Sequence, residues 1–461
     1  MTRLDEELCG GIPEQSLVAL KGLPGTGKTT LAYRFLEEGL LDGEAAIWFS
    51  LNESKLQTLS NAYPFTKFSV TSFDGYLAKV RQLEDAGKLK IIDVVAATPK
   101  GQPAFTQELI EAVQRLTPRR LVVDSYSTLF TGRVAKSEER TALQVTFSKV
   151  IPSRGCTTML TVESDSEQQI DYAADIVISL ERQLVDGRSR RLLTINKRRG
   201  AKTIRPTSLF TLSDGLKVFG PYREPEANTN KFKPIRLDGG LYSTGIAQLD
   251  DLLGGVSLGT IIFLEIGPDI RVETMQLIPL TMKLNFLAVG GRLAFWPLAG
   301  ANAAAFRAFA ERSLDVDLPR VARVMEYGKV TDELGVKVSG IFEADNTAWC
   351  STVSGLGKDG SPVLKAYNVE NFEYRYSLED TLRFIANDLI DTISSPRICI
   401  VLGKPWLRLN AAFANHAYIH LELFSVHGTP VLRGRRPWTP EFVVEADYSV
   451  NPMGVRLTEL S

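Results

Sequence analysis

The segment Gly22-Leu23-Pro24-Gly25-Thr26-Gly27-Lys28-Thr29-Thr30 has the Gly-x-x-x-x-Gly-Lys-Thr spacing of a Walker A loop. Glycines at these positions let backbone N–H groups turn toward phosphate oxygens without a Cβ in the way. The helix expected to start at the lysine adds a partial positive charge. Lys28 is placed to bridge the β- and γ-phosphates, and the Thr29 hydroxyl to ligate Mg²⁺. Gly22, Pro24, Gly25, Thr26, Gly27 and Thr30 complete the expected cradle, and the ligand this chemistry implies is ATP with magnesium.

Two further carboxylates complement the loop. Arg119-Arg120-Leu121-Val122-Val123-Asp124-Ser125 is an apolar strand that delivers Asp124 at its end, where a parallel sheet opens its crevice. Asp124 is the second expected magnesium partner, acting through water. Phe49-Ser50-Leu51-Asn52-Glu53-Ser54 brings Glu53 to the end of another strand, where it can orient an attacking water.

The elements that must position these residues follow from the apolar pattern. Leu17–Leu20, Ala45–Leu51, Leu89–Val95, Leu121–Asp124, Thr157–Val162 and Ile176–Leu180 read as strands, and the second of these is apolar except at Ser50, as a buried parallel strand is. Helical stretches such as Phe105–Leu116 and Glu138–Ile151 lie between them. The alternation predicts an α/β domain with a mostly parallel sheet flanked by helices.

The chain repeats this unit. Leu4-Asp5-Glu6-Glu7-Leu8-Cys9-Gly10-Gly11-Ile12 is echoed by Leu249-Asp250-Asp251-Leu252-Leu253-Gly254-Gly255-Val256, and each is followed by an apolar run. Between the halves, Pro221–Lys231 is polar, rich in proline and asparagine, and without periodicity. The expected organisation is an ATP-binding domain over 1–222, a linker over 223–241, and a degenerate second domain over 242–461.

Composition bounds the rest. The 461 residues carry 53 Lys+Arg against 54 Asp+Glu, so the basic excess of a whole-protein nucleic-acid footprint is missing and nucleic acid is not a favoured partner. The four cysteines are scattered without a Cys-x-x-Cys pair, which fits free thiols in a reducing compartment. No apolar run approaches the ~18 residues of a membrane span, and the acidic first residues do not form a secretory signal. A cytoplasmic location with no membrane partner is expected.

These pieces together resemble the KaiC-like branch of the RecA superfamily. The resemblance rests on Leu4-Asp5 with Cys9-Gly10-Gly11-Ile12-Pro13, the Walker A loop, Val122-Val123-Asp124-Ser125, Thr157–Glu163, and Leu193-Thr194-Ile195-Asn196-Lys197-Arg198-Arg199-Gly200. It implies tandem RecA-like P-loop domains and assembly into a ring, usually a hexamer, with ATP between subunits. The family's Lys-x-Arg-Gly segment falls on Lys197-Arg198-Arg199-Gly200, so Lys197 and Arg199 are expected to reach a neighbouring subunit's nucleotide. Where the family has two adjacent glutamates this chain has Asn52-Glu53. Asn52 can bond a water but cannot act as a base, so slow hydrolysis is expected, with Glu53 as substitute.

The second half keeps the pattern without the chemistry. Its loop reads Gly267-Pro268-Asp269-Ile270-Arg271-Val272-Glu273-Thr274, with Val272 or Glu273 in the lysine's place depending on alignment. Pro396–Lys404 is taken as the Walker B analogue, a strand with no terminal acid. Gly340–Ser377, with Trp349, Tyr367, Phe372, Tyr374 and Tyr376, has no evident counterpart and is read as an insertion that either presents aromatics to a partner or packs on its domain. His416 and His420, four apart, are placed on one face of a strand, and His427 follows; a metal site is not expected. Arg433-Gly434-Arg435-Arg436 sits where the first half has Lys197–Arg199.

One intact and one decayed site also look like the two-domain archaeal type similar to the gas-vesicle regulatory protein D family. That similarity implies control of a regulatory protein partner through the second domain. The alternatives are a non-hydrolysing ATP-dependent switch and a DNA recombination accessory factor of the RecA/RadA-paralogue kind, which would bind single strands through basic loops and aromatics.

Overall fold

The computed structural model describes residues 3–94, 101–130, 137–163, 168–203, 205–213, 215–226, 230–298, 301–449 and 451–460. Val95 and residues 227–229, used above in reading a strand end and the linker, lie outside them, as does the side chain of Glu138. The chain divides into a first unit that runs to Gly220 and a second, Pro221–Glu459.

Among its described residues the first unit has nine strands: β1 Leu17–Gly22, β2 Ala46–Ser50, β3 Leu89–Asp93, β4 Arg120–Asp124, β5 Thr157–Glu163, β6 Ile176–Val185, β7 Arg188–Arg198, β8 Thr207–Thr211 and β9 Lys217–Val218. They form one sheet in the order β3-β2-β4-β5-β1-β6-β7-β8-β9. The pairs from β3 to β6 are parallel, and β6 to β9 run as antiparallel hairpins. Burial explains why β1 forms at the centre: all six of its residues are inside. Leu17 and Ala19 join one apolar cluster, and Val18 and Leu20 the other, as a strand's period of two requires. Helix Lys28–Leu41 covers one face with Leu31, Leu36 and Leu40, while helix Gly101–Leu116 covers the other with Phe105, Leu109 and Val113. The sheet is thus sandwiched between helical layers.

Among its described residues the second unit has ten strands: β10 Ile261–Ile266, β11 Arg292–Trp296, β12 Ala322–Tyr327, β13 Gly335–Val338, β14 Val363–Asn368, β15 Arg397–Gly403, β16 Ile419–Val426, β17 Thr429–Arg436, β18 Glu441–Ala446 and β19 Val455–Glu459. Their order is β13-β12-β11-β14-β15-β10-β16-β17-β18-β19. Laid on the first sheet, β10 takes the place of β1, β15 of β5, β14 of β4, β11 of β2 and β16–β17 of the β6–β7 hairpin. The duplication is real, and β13 extends the sheet by one parallel strand.

This order corrects two expectations. Pro396–Lys404 is the counterpart of β5, not of the Walker B strand; that place belongs to β14, which ends in Tyr367-Asn368 and still offers no acid. Gly340–Ser377 is no insertion, since it supplies β14 and the helix Phe342–Leu356. Its aromatics are mostly core: Trp349, Tyr367 and Phe372 are buried and pack edge-on against one another, and Tyr374 is exposed. The stretch 223–241 lies with the second unit, where Phe232 is buried in the core and the backbone N–H of Ile235 donates to Asn285.

Candidate active site

The loop between β1 and helix Lys28–Leu41 is shaped by close approach. A Cβ on Gly22 would stand 2.6 Å from the Leu180 carbonyl and 2.6 Å from the Thr26 hydroxyl. Gly27 caps the helix in a left-handed conformation, φ 104°, which side chains rarely adopt. Thr26 Oγ1 donates to the Leu23 carbonyl at 2.8 Å, and Arg191 of β7 donates to the Gly25 carbonyl at 2.8 Å, bracing the loop from the hairpin side. Lys28 Nζ donates back to the carbonyls of Gly22 at 2.8 Å and Leu23 at 3.1 Å, so its charge is held over the cradle.

Thr29 and Asp124 meet across the crevice. The Thr29 hydroxyl donates to one oxygen of Asp124 at 2.9 Å, and Thr161 of β5 donates to the other at 2.5 Å. Burial pushes the Asp124 carboxyl up from its ordinary range, against the hydrogen bonds of Thr161 and Thr29 and the charge of Lys28. Burial likewise lowers the Lys28 ammonium, against the charges of Glu163 and Asp124. Both groups sit where their charged forms need a counter-charge. A hydroxyl and a carboxylate side by side form the hard oxygen set that Mg²⁺ takes with phosphate oxygens, so the residues fit that ion.

Asn52 and Glu53 follow β2, which pairs with β4 so that Ser50 lies beside Asp124. Thr128 Oγ1 donates to Asn52 Oδ1 at 2.5 Å. The Glu53 carboxylate accepts from Asn61 Nδ2 at 3.1 Å on each oxygen. Lys28, Thr29, Asn52, Glu53 and Asp124 all line one cavity of about 330 Å³, with Pro24, Gly25, Gly27 and Thr30. Gly22 and Thr26 shape its loop from behind.

Three contributors were not singled out from the sequence. Glu163 ends β5 beside Gly22 and lines the cavity, Thr161 fixes Asp124, and Arg191 braces the loop. Glu163 had a signal, because an acid closes an apolar strand there as at Asp124. Thr161 and Arg191 had none, since they approach from other strands.

Lys197 and Arg199 are not brought to this cavity. Lys197 donates to the carbonyls of Asp171 and Tyr172 at 2.7 and 3.2 Å, and Arg199 to the Tyr172 carbonyl at 3.0 Å and Asp175 at 3.1 Å. Burial first, then the Arg199 charge, lowers the Lys197 ammonium. Arg198 pairs with Ile176 at the start of β6, whereas the loop lies at the ends of β1 and β5. The basic segment therefore occupies the opposite edge of its own sheet.

In the second unit the corresponding helix begins at Val272, which settles the alignment: Val272 stands where Lys28 does. The connection has the same length, Gly267–Arg271 against Leu23–Gly27, but Ile266, Asp269 and Arg271 stand where Gly22, Gly25 and Gly27 do. His416 closes the helix Asn410–His416 while His420 lies on β16, so the two do not share a strand face as expected. His420 Nε2 is 3.7 Å from Glu265, and Glu422 completes a compact group with them. Glu422 is already gripped on both oxygens by Arg433 and Arg435, and Arg436 donates to the Ala417 carbonyl at 2.7 Å. The second basic run is thus consumed inside its own sheet.

Comparisons with known proteins bear on the family. A family model described as "ATPase: KaiC" matches residues 1–221. The UPF0273 protein of Methanocaldococcus jannaschii is 30% identical over 43% of this chain and 84% of its own length. That of Pyrococcus horikoshii is 27% identical over 47% of this chain and 90% of its own. A crystal structure of a KaiC-like protein from Pyrococcus horikoshii aligns at 24% identity with a TM-score of 0.41, over 48% of this chain and 96% of that one. No helix among the described residues is long and apolar enough to cross a membrane. With a Walker A lysine, a paired Thr29–Asp124 and this kinship, the chain belongs to the KaiC-like ATPases.

Proposed function

We propose that the chain is a ring-forming cytoplasmic ATPase that binds Mg·ATP in its first unit, hydrolyses it slowly, and uses the nucleotide state to regulate a partner protein through a second unit that binds none. The observation that carries this reading is the convergence of Lys28, Thr29, Asp124 and Glu53 on one cavity. Lys28 leaves the Gly22 and Leu23 carbonyls for the β- and γ-phosphates, whose charge supplies what burial of the ammonium lacks. Thr29, and Asp124 through water, would hold magnesium, whose charge would offset that of the phosphates. Glu53 orients the water that attacks the γ-phosphorus and takes its proton as the bond to the β-phosphate oxygen breaks.

The position of Lys197 and Arg199 supports the ring. At the far edge of their sheet they cannot serve their own nucleotide, so a role at the phosphates requires a second copy of the chain. Arg199→Ala is expected to leave ATP binding intact and to lower hydrolysis in the assembled protein. Full activity in that variant removes the role, and a monomer by light scattering with ATP removes the ring.

One observation favours a second reading, an ATP-held switch without turnover. Asn52 stands in the family's glutamate position with its oxygen occupied by Thr128, and an amide accepts no proton. Steady-state hydrolysis by the purified protein, run beside Lys28→Ala and Asn52→Glu, separates the two. Activity above the Lys28→Ala background supports the ATPase. Bound nucleotide without activity, and activity gained by Asn52→Glu, supports the switch.

A further inference from the structure

Beside the nucleotide cavity lies a second, smaller chamber of about 90 Å³. The two share Thr29, Thr30 and Glu53 in their walls. Tyr33, Trp48, Thr58, Asn61 and Ala62 line the rest of the chamber. Its size is several times the ~10–15 Å³ that one water requires, and its walls carry hydroxyl, amide and carboxylate groups.

Trp48 gives the chamber its meaning. The residue is only 2% exposed, and its indole Nε1–H has no hydrogen-bond partner among the described residues. A buried donor without an acceptor costs about 1–3 kcal/mol. A further cavity that Trp48 touches measures about 20 Å³ and is walled mostly by apolar side chains such as Leu36, Leu40, Val80 and Leu89, so it offers a water few second partners. Trp296 and Trp349, also buried, donate to Tyr327 at 2.8 Å and Asp388 at 3.0 Å.

Asn61 is the second element. Its side-chain N–H₂ donates to both oxygens of Glu53, fixing the carboxylate in the partition between chamber and nucleotide cavity. The Ser50 hydroxyl donates to the Glu53 carbonyl at 2.6 Å and lies 3.2 Å from the Thr58 hydroxyl, so the backbone of the partition is anchored as well.

We propose that this chamber is a water reservoir for the γ-phosphate site, with the Trp48 Nε1–H and Thr58 ordering its water and Asn61 acting as a positioning residue for Glu53. The inference rests on the ATPase reading of the neighbouring cavity. Water enters the attack position from the Glu53 side. Its oxygen forms the bond to the γ-phosphorus, the bond to the β-phosphate oxygen breaks, and the water's proton passes to Glu53 and from there along the chamber water to solvent. ADP leaves with the electrons of the broken bond.

Two measurements on the full chain test this separately from the ATPase reading. The first needs no turnover: transfer of water magnetisation to the ¹⁵N-labelled indole N–H groups, with the Trp48 signal identified by its loss in Trp48→Phe. Rapid transfer to Trp48, beside slow transfer to Trp296 and Trp349, is expected. A Trp48 signal as protected as those two makes the chamber dry and overturns the proposal, whatever the hydrolysis rate. The second is a split between binding and turnover. Asn61 is exposed, so Asn61→Ala is expected to fold normally, to bind ATP with unchanged affinity, and to lower kcat about 10-fold. Unchanged kcat in a hydrolysing protein overturns the positioning role. Wet Trp48 with no wild-type hydrolysis above Lys28→Ala instead removes the ATPase reading and, with it, the reservoir's catalytic purpose.

Discussion

The two units share a sheet order and differ in what their buried cations do. In the first, Lys28 sits at the loop, 8% exposed, bonded among the described residues only to carbonyls and facing a cavity. In the second, Lys365 is fully buried on β14, the strand in the Walker B place, and donates to the carbonyl and carboxylate of Asp388 and to Asp391. The same Asp388 accepts from Tyr367 and Trp349. One unit keeps a charge waiting for a ligand, and the other has spent its charge on internal pairing. The comparison teaches that the architecture does not depend on the phosphate-binding residues, because the strand-to-helix packing survives their loss.

Removing a partner from the internal network should have the largest effect. Asp388→Ala leaves Lys365 buried beside two orphaned donors and is expected to destabilise the second unit by about 3–5 kcal/mol, seen as an early unfolding transition. ATP binding in the first unit should persist below that transition. If stability does not change, the contrast between spent and waiting charge is wrong.

Next in size, Lys28→Ala should weaken ATP binding about 100-fold, the ~2–3 kcal/mol of a charged hydrogen-bonding group, by titration calorimetry. Its thermal stability should not fall, since the lysine is not part of the packing. Unchanged affinity would remove the site.

A third test uses Lys283, buried on helix Val272–Ala288 over the Phe295 ring. Burial pushes its ammonium down to about 7. The folded state therefore binds fewer protons than the unfolded between pH 7 and about 10.5, so its destabilising effect is full below pH 7 and fades as pH rises through that window. Lys283→Met should raise the melting temperature at pH 6.5 by roughly 4–8 °C and much less at pH 9. An equal gain at both pH values would show that the ammonium is not what strains the unit.

The smallest expected effect is none. Val272→Lys with Glu273→Thr restores the residue types at the start of the second unit's helix, yet nucleotide binding there should stay undetectable by fluorescent-analogue titration. Measurable binding would mean that the glycines replaced by Ile266, Asp269 and Arg271 are not decisive.

How legible all this was in the sequence depended on locality. The Walker A loop and Asp124 were readable because each is a local pattern with its own strand. The duplication was readable from the Gly-Gly turns that open each half. The Walker B place in the second unit was missed because Lys365 and Asn368 interrupt the apolar run of β14, and a buried lysine reads as surface until its partner Asp388 is seen on a helix far along the chain. The aromatics of 340–377 were undecided for a related reason: Trp349 and Tyr367 are apolar bodies with polar tips, at home in a core or at an interface. Thr161, Arg191 and the Asn61–Glu53 bond were invisible because they join separate elements.

The unchanged length of the connection before Val272 has a historical consequence. No residue is missing between strand and helix, so the two units differ there by substitution alone. Gly22, Gly25, Gly27 and Lys28 are replaced by Ile266, Asp269, Arg271 and Val272, and no single reversal restores a cradle that needs them together. Variation there is released from selection for phosphate binding and left to answer to stability and to whatever the unit touches.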